Sequence, residues 1–332
     1  MNMANAPLSG HPDRLCDLIA AGVADEYLKR DPESRVRLSV TGGHGALFLS
    51  GEVLTSADFD VTHLVQRLLG SHGLHEGIEP FVSIEQADSS RVGVLREACP
   101  RPIMGFGYAT QETDSYLPRV AHVAKAVAKK LNDKRLEDPD WFWLGPAGEV
   151  CVDDRDGRLA VHVEFEQGVY PLDKARIAVC DLLGTLSASS QAKIEANPLG
   201  PLSQAGLKAA IGRSGTCLEP YGRAMPSVFN PAGTDWHDGR FLADAMARLT
   251  AGRLVKDFHV RAAFVRLRYD TGERRPTGIW ARDERGRDLA KEAGAMILDL
   301  DRAKEAWRRP GLMTDMTKHG MVGDGCLPWE NA

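Results

Sequence analysis

The residues of this 332-residue chain best suited to chemistry stand together near its start, as Gly10-His11-Pro12-Asp13-Arg14, directly ahead of an amphipathic helical pattern. Pro12 suits a first helical turn, because its missing N–H is one that a helix leaves unpaired there in any case. Leu15, Leu18, Ile19, Gly22, Val23 and Tyr27 follow at helical spacing and should face a core. His11 and Asp13 then sit at a helix N-terminus, where the backbone dipole and unpaired N–H groups favour anions such as phosphate. A histidine that meets a phosphate, beside a carboxylate that holds a hard cation, is a workable unit of phosphate chemistry. An ordinary N-cap with a solvated histidine accounts for the same five residues, and the stretch alone leaves both readings open.

The elements that must position this cluster follow a pattern met three times. Val36, Leu38 and Val40 alternate, the Gly42-Gly43-His44-Gly45 turn follows, a second strand runs over 46–54 and a helix over 58–69. The second unit has a strand at Val150-Cys151-Val152, an Asp156-Gly157 turn, alternation through Leu159, Val161, Val163 and Phe165, and a helix from Leu172 to Leu186. The third pairs Val260–Leu267 with Gly278–Ala281 across Tyr269-Asp270-Thr271-Gly272, with a helix over 288–307. Gly-rich and Asp-Gly turns between alternating runs signal hairpins, and each helix can cover one face of the resulting sheet. The expected fold class is α+β, with three similar strand–strand–helix domains at 1–135, 136–235 and 236–332. Further helices are expected over Tyr116–Leu131 and Asp238–Leu254, with the charged stretch Asn132–Asp140 as a linker. Ser187–Thr234, rich in Gly, Pro, Ser and Ala, reads as a long and therefore functional loop.

Composition narrows the partners. A formal charge of −5 gives no reason to expect nucleic acid, and no apolar run approaches the ~20 residues of a membrane helix. The N-terminus lacks a signal-peptide core. Six scattered cysteines show no close pair of metal-ligand spacing; Cys16 and Cys180 fall on helical patterns as small buried hydrophobes. Reduced thiols and a cytoplasmic setting are expected.

Gly10-His11-Pro12-Asp13 followed by a basic residue and a helix resembles the opening motif of the methionine adenosyltransferases, or S-adenosylmethionine synthetases. Other matching blocks follow in the same order: Gly51-Glu52 with Thr55-Ser56-Ala57, Phe106-Gly107-Tyr108-Ala109-Thr110-Gln111-Glu112-Thr113-Asp114, Asn197-Pro198-Leu199-Gly200, Tyr221-Gly222, Pro276-Thr277 and Pro328-Trp329-Glu330. The resemblance spans nearly the whole chain. It implies a pseudo-threefold, S-adenosylmethionine synthetase-like architecture whose domains interleave, so that the domain boundaries above are approximate, and a homodimer with the active site between subunits. It also implies a reaction in which methionine sulfur attacks C5′ of ATP, expelling tripolyphosphate that is then hydrolysed. By position, His11 matches the catalytic histidine at the phosphate chain and Asp13 a Mg2+ ligand. Glu52 matches the carboxylate holding the methionine amino group, and Gln86 a glutamine on the methionine side. Taken without the resemblance, Glu52 ends an exposed hairpin strand and Gln86 is a surface amide.

The departures from the family pattern cluster on the polyphosphate side. Pro100-Arg101-Pro102-Ile103 replaces Gly-Asp-Gln-Gly, Ala147-Gly148-Glu149 replaces Asp-Ala-Lys, and Ser39 stands where a potassium-binding glutamate is expected, leaving a K+ site in doubt. In Gly206–Ser214 the metal-binding aspartate becomes Leu207 and the phosphate-binding lysine becomes Ser214, while Arg213 is kept. The lysine-bearing loop becomes Arg223–Asp238, which contains no lysine. Each lost partner of a developing oxyanion costs about 3–4 kcal/mol of barrier. Arg101, Arg213, Arg223 and Arg240 are candidate replacements, because guanidinium binds phosphate bidentately; for Arg223 and Arg240 a solvated surface role fits equally. His237 and Asp238 are further candidates for that site. The resemblance leaves three readings: a divergent methionine adenosyltransferase binding ATP and methionine with Mg2+, an enzyme of the same fold acting on another nucleotide or thioether, and a non-catalytic paralogue that binds a nucleotide or an active subunit.

Overall fold

A computed structural model describes residues 2–74, 77–186, 191–217, 221 and 230–330. Three sheets form the framework. In the first, β2 (Arg35–Gly43) and β3 (Ala46–Leu54) make a hairpin, β4 (Glu79–Gln86) runs parallel to β3, and the short β9 (Gly212–Arg213) pairs with β2. The second sheet has the order β1 (Asn2–Pro7), β6 (Gly148–Arg155), β7 (Arg158–Phe165), β8 (Lys193–Ala196), and the third β11 (Gly278–Asp283), β10 (Ala262–Tyr269), β5 (Ile103–Thr110). The hairpins close as the sequence predicts. His44 and Gly45 have φ of 51° and 98°, and Asp156 and Gly157 55° and 83°, the left-handed pair that a two-residue turn matching strand twist requires.

Each sheet is built on one long helix, a hairpin and an outer helix. α1 (Pro12–Arg30) precedes β2 and β3, with α2 (Val61–Ser71) outside; α4 (Arg119–Glu137) precedes β6 and β7, with α5 (Leu172–Gly184) outside. α6 (Gly239–Asp257) precedes β10 and β11, followed by α7 (Ala290–Met296) and α8 (Leu300–Trp307). The strand just ahead of each long helix joins a different unit. β1, before α1, adds to the second sheet; β5, before α4, adds to the third; β9, before α6, returns to the first. In each case it pairs with the first strand of the host hairpin. Strands are thus exchanged cyclically among the three sheets. The N-terminal segment supplies strands to all three sheets, and α4, expected at its end, covers the second sheet.

Other expectations change for local reasons. The helix expected over 288–307 breaks in two, because Ile297 is extended and Asp299 caps a new start, accepting from the Arg302 N–H at 2.9 Å. The linker expected at 132–140 is absent, as α4 runs on to Glu137 and Asp138 caps the single turn Pro139–Trp141. Within 187–234, the described residues include β8, β9 and the turn Gly206–Lys208. Cys16 is buried as expected, whereas Cys180 is half-buried. Two further helices, α3 (Ser89–Arg96) and α9 (Leu312–His319), complete the set. α1 is buried on nearly every side rather than amphipathic. Its Asp25 accepts from the N–H groups of Met313 and Thr314 at 3.2 and 2.8 Å, capping α9, whose own N-cap Gly311 has no side chain. Among the described residues no helix is long and apolar enough to cross a membrane.

Candidate active site at the start of the first helix

The cluster Gly10–Arg14 folds as the sequence predicts, with His11 at the N-cap and Pro12 in the first turn. Gly10 is held by an N–H bond to Pro146 O at 2.8 Å, and a Cβ there would lie 2.6 Å from the Pro146 side chain. Only glycine allows that approach, which fixes the entry to α1. His11 does not cap the helix with its side chain, and its Nδ1 is buried with no hydrogen-bond partner. Such an orphaned ring nitrogen is kept for a ligand or carries a cost.

Asp13 and Asp17, one turn apart, clamp the segment after β9. Asp13 Oδ1 accepts from the Arg213 N–H at 2.8 Å and Asp17 Oδ1 from the Gly215 N–H at 2.7 Å. Asn230 Nδ2 donates to the other Asp17 oxygen at 3.0 Å. Burial pushes the Asp17 carboxyl up to about 6. Ser214, where the family pattern has a lysine, instead ties the strand edge: its Oγ accepts from Val40 N–H at 2.9 Å and its N–H donates to Val40 O at 2.8 Å. Leu207 is fully buried and offers no ligand where a metal aspartate is expected.

Cys217, passed over in the sequence, completes the cluster. One ligand atom each of His11, Asp13 and Cys217 lie within 4.8 Å of one another. Burial pushes the Cys217 thiol up to about 12, so it stays protonated and is a poor nucleophile or metal ligand as it stands. The signal was invisible in sequence because the residues are about two hundred positions apart. A magnesium ion takes oxygen ligands and is commonly held by one or two carboxylates plus substrate phosphates. Asp13, with one oxygen left after its bond to Arg213, fits that limited role.

The register of the first sheet places the remaining residues. Arg213 stands opposite Thr41, Thr41 opposite Phe48 and Phe48 opposite Phe81, a row across the outer face. Ser39, Ser50 and Ser83 form the next row on that face, and Arg37, Glu52 and Glu85 the one after. Arg213 and Glu52 thus share a face, four residues or about 13 Å apart along β2. Glu52 is not free: Arg91 Nη2 donates to its Oε1 at 2.7 Å, and that bond holds the carboxyl below the usual range. Gln86 donates from Nε2 to Thr55 O at 3.1 Å.

The remaining expected residues stand on other elements or outside the described residues. Arg101 is exposed in the loop before β5, and Arg240 lies in the first turn of α6, its Nε 3.7 Å from Asp238. Asp238 is the α6 N-cap, accepting from the N–H groups of Arg240 and Phe241. His237 is buried against Pro32 O, 3.1 Å from its Nε2, and burial lowers its pKa to about 3, which keeps it neutral and structural. Arg223 lies outside the described residues.

Three interlocked α+β units set the start of α1 beside the polar outer face of the first sheet. The sequence signature of the S-adenosylmethionine synthetase N-terminal domain matches residues 3–88. The S-adenosylmethionine synthase of Brachyspira hyodysenteriae is 25% identical over 311 residues, 82% of this chain and 78% of its own length. That of Staphylococcus epidermidis is 25% identical over 376 residues, 97% of this chain and 92% of its own. An unusual S-adenosylmethionine synthetase from Campylobacter jejuni superposes with a TM-score of 0.86 at 18% identity, covering 99% of this chain and 96% of its own. Signature, relatives and fold together support a divergent member of the S-adenosylmethionine synthetase family.

Proposed function

We propose that this protein joins a methionine-type thioether to ATP, the sulfur attacking C5′ to give S-adenosylmethionine and a released polyphosphate. The observation that carries the reading is the bond from the Arg213 N–H to Asp13. It sets a guanidinium-bearing residue, a carboxylate and an unpartnered histidine nitrogen around one helix N-terminus. In this reading His11 and Arg213 stabilise charge on the leaving phosphates, and Asp13 holds Mg2+ against them, which supplies further charge neutralisation. Glu52 and Gln86 take the amino-acid end, on the same sheet face and its edge.

The outer face of the first sheet also supports a homodimer. Phe48 and Phe81 are each half exposed and stacked 5.1 Å apart, an apolar pair that a second copy would cover. One observation favours a second reading, in which the fold acts on a different thioether or nucleotide: Glu52 is already engaged by Arg91, so its amine-binding role requires the pair to open. The test is mass-spectrometric detection of S-adenosylmethionine from ATP, methionine and Mg2+. Formation that is lost in Arg213→Ala upholds the first reading. No product with methionine, but turnover of another thioether, upholds the second.

A further inference from the structure

A cavity of about 640 Å3 opens between α1, α2, α4 and α9, on a different face of α1 from the site above. Arg14 and Leu18 line it, while Asp13 and Asp17, one position earlier in each turn, hold the β9 segment. Its volume lies within the ~300–1,000 Å3 typical of small-molecule sites. Leu18, Leu68, Leu117 and Leu136 give it apolar walls.

Its charge is one-sided. Among the described residues Arg14, Lys125, Lys129, Arg135 and Lys318 line it, against the carboxylates of Asp133 and Asp324. Lys125 donates to the Val322 carbonyl, and burial lowers its pKa to about 8. The Nε of Arg135 is buried with no hydrogen-bond partner. His72, also in the lining, stays neutral: burial first, then the positive fields of Lys318 and Arg135, push its pKa down to about 4. Arg135 and Lys318 line the same cavity as His72. Lys125 and Arg135 are partly withdrawn from water, and an anion entering beside them offsets the cost of burying their charge. Guanidinium and ammonium groups together suit phosphate, whose oxygens accept from both.

We propose that this cavity is a second ligand site, taking a small organic phosphate whose phosphate meets Arg135 and Lys318 and whose apolar part lies against the leucines. The inference stands independently of the reaction assigned to the His11 site. The test is a calorimetric titration of the full chain with inorganic pyrophosphate at low salt, repeated for Arg135→Gln, for Lys318→Gln and for Arg213→Ala. Lys318 is exposed, so its change leaves the fold intact. The expected result is a binding event that weakens about tenfold in Arg135→Gln and in Lys318→Gln and persists in Arg213→Ala. Binding abolished by Arg213→Ala and unmoved by Lys318→Gln would place the anion in the α1 N-terminal site and overturn the proposal. So would the absence of any binding by the wild-type chain.

Discussion

Arg91 donates to both carboxylate oxygens of Glu52, at 2.7 and 3.4 Å, on the outer face where the amino-acid end of a substrate would lie. The pair joins α3 to β3 and is open to solvent. A substrate ammonium group must displace the guanidinium, so the competent state is only a fraction of the molecules. Glu52→Gln is therefore expected to raise KM for the amino acid about tenfold or more with little change in kcat, and Arg91→Ala to lower it a few-fold. Steady-state kinetics of the two variants checks this. An unchanged KM in both would remove Glu52 from the site.

In the proposed reaction His11 meets charge that develops only as the phosphate chain leaves. His11→Ala is expected to lower kcat by about a hundredfold or more and to leave amino-acid binding intact, the signature of an interaction made in the transition state. A parallel loss of methionine affinity, read by calorimetry, would point instead to a structural role for the ring.

Buried carboxyls give the stability a defined pH dependence. Burial raises Asp244 to about 7 although its Oδ1 accepts from the Phe106 N–H at 2.7 Å. A folded-state pKa above the unfolded value means that the fold binds the proton more tightly. The group thus favours folding at low pH and opposes it increasingly as pH rises from about 4 through about 7. Asp244→Asn keeps the acceptor and removes the charge. It is expected to stabilise the protein by the order of 2 kcal/mol at pH 8 and by little at pH 5. His237 acts in the opposite sense: its lowered pKa, about 3, makes the fold lose stability as pH falls below the ordinary histidine range. Only the difference between variant and wild type, from denaturant melts at several pH values, isolates Asp244.

The last described residues are tied back to α6. Arg248 on α6 is buried and makes two 2.7 Å bonds to Glu330, while also donating to the carbonyls of Tyr108 and Ser115. Removing one member of a buried pair leaves the other uncompensated. Glu330→Ala is expected to destabilise the fold by about 3–5 kcal/mol, measurable as a fall in the denaturant midpoint.

What the sequence made legible follows from range. The β2–β3 hairpin was readable because Gly42-Gly43-His44-Gly45 carries its own turn chemistry, and α1 because Pro12 and a helical apolar pattern mark it. β1 was not, since Asn2–Pro7 has no β-branched residue and becomes a strand only by pairing with β6, nearly 150 residues away. The exchange of strands among the three sheets was hidden for the same reason. In the site, His11 and Asp13 were marked by residue type at a helix start, and the resemblance supplied Arg213, Glu52 and Gln86. Arg91 and Cys217 were not marked, because only the folded register and the α1 clamp bring them to their partners. The charged end of α4 looked like a linker because its outer turn faces solvent.

Assembly bears on the site through the exposed face that carries Phe48, Phe81, Arg213 and Glu52. Phe48→Asp with Phe81→Asp is expected to convert a dimer into a monomer by light scattering, with loss of activity. A wild-type chain that is monomeric at micromolar concentration would contradict the proposed assembly.

The most direct test of the account follows the products of ATP, methionine and Mg2+ separately. With Leu207 and Ser214 where a metal carboxylate and a lysine are expected, and Arg213 as the guanidinium kept in place, the site should release tripolyphosphate faster than it hydrolyses it. The account predicts S-adenosylmethionine accumulating together with intact tripolyphosphate, both abolished by Arg213→Ala. Phosphate and diphosphate appearing in step with S-adenosylmethionine, undiminished by that substitution, would contradict it.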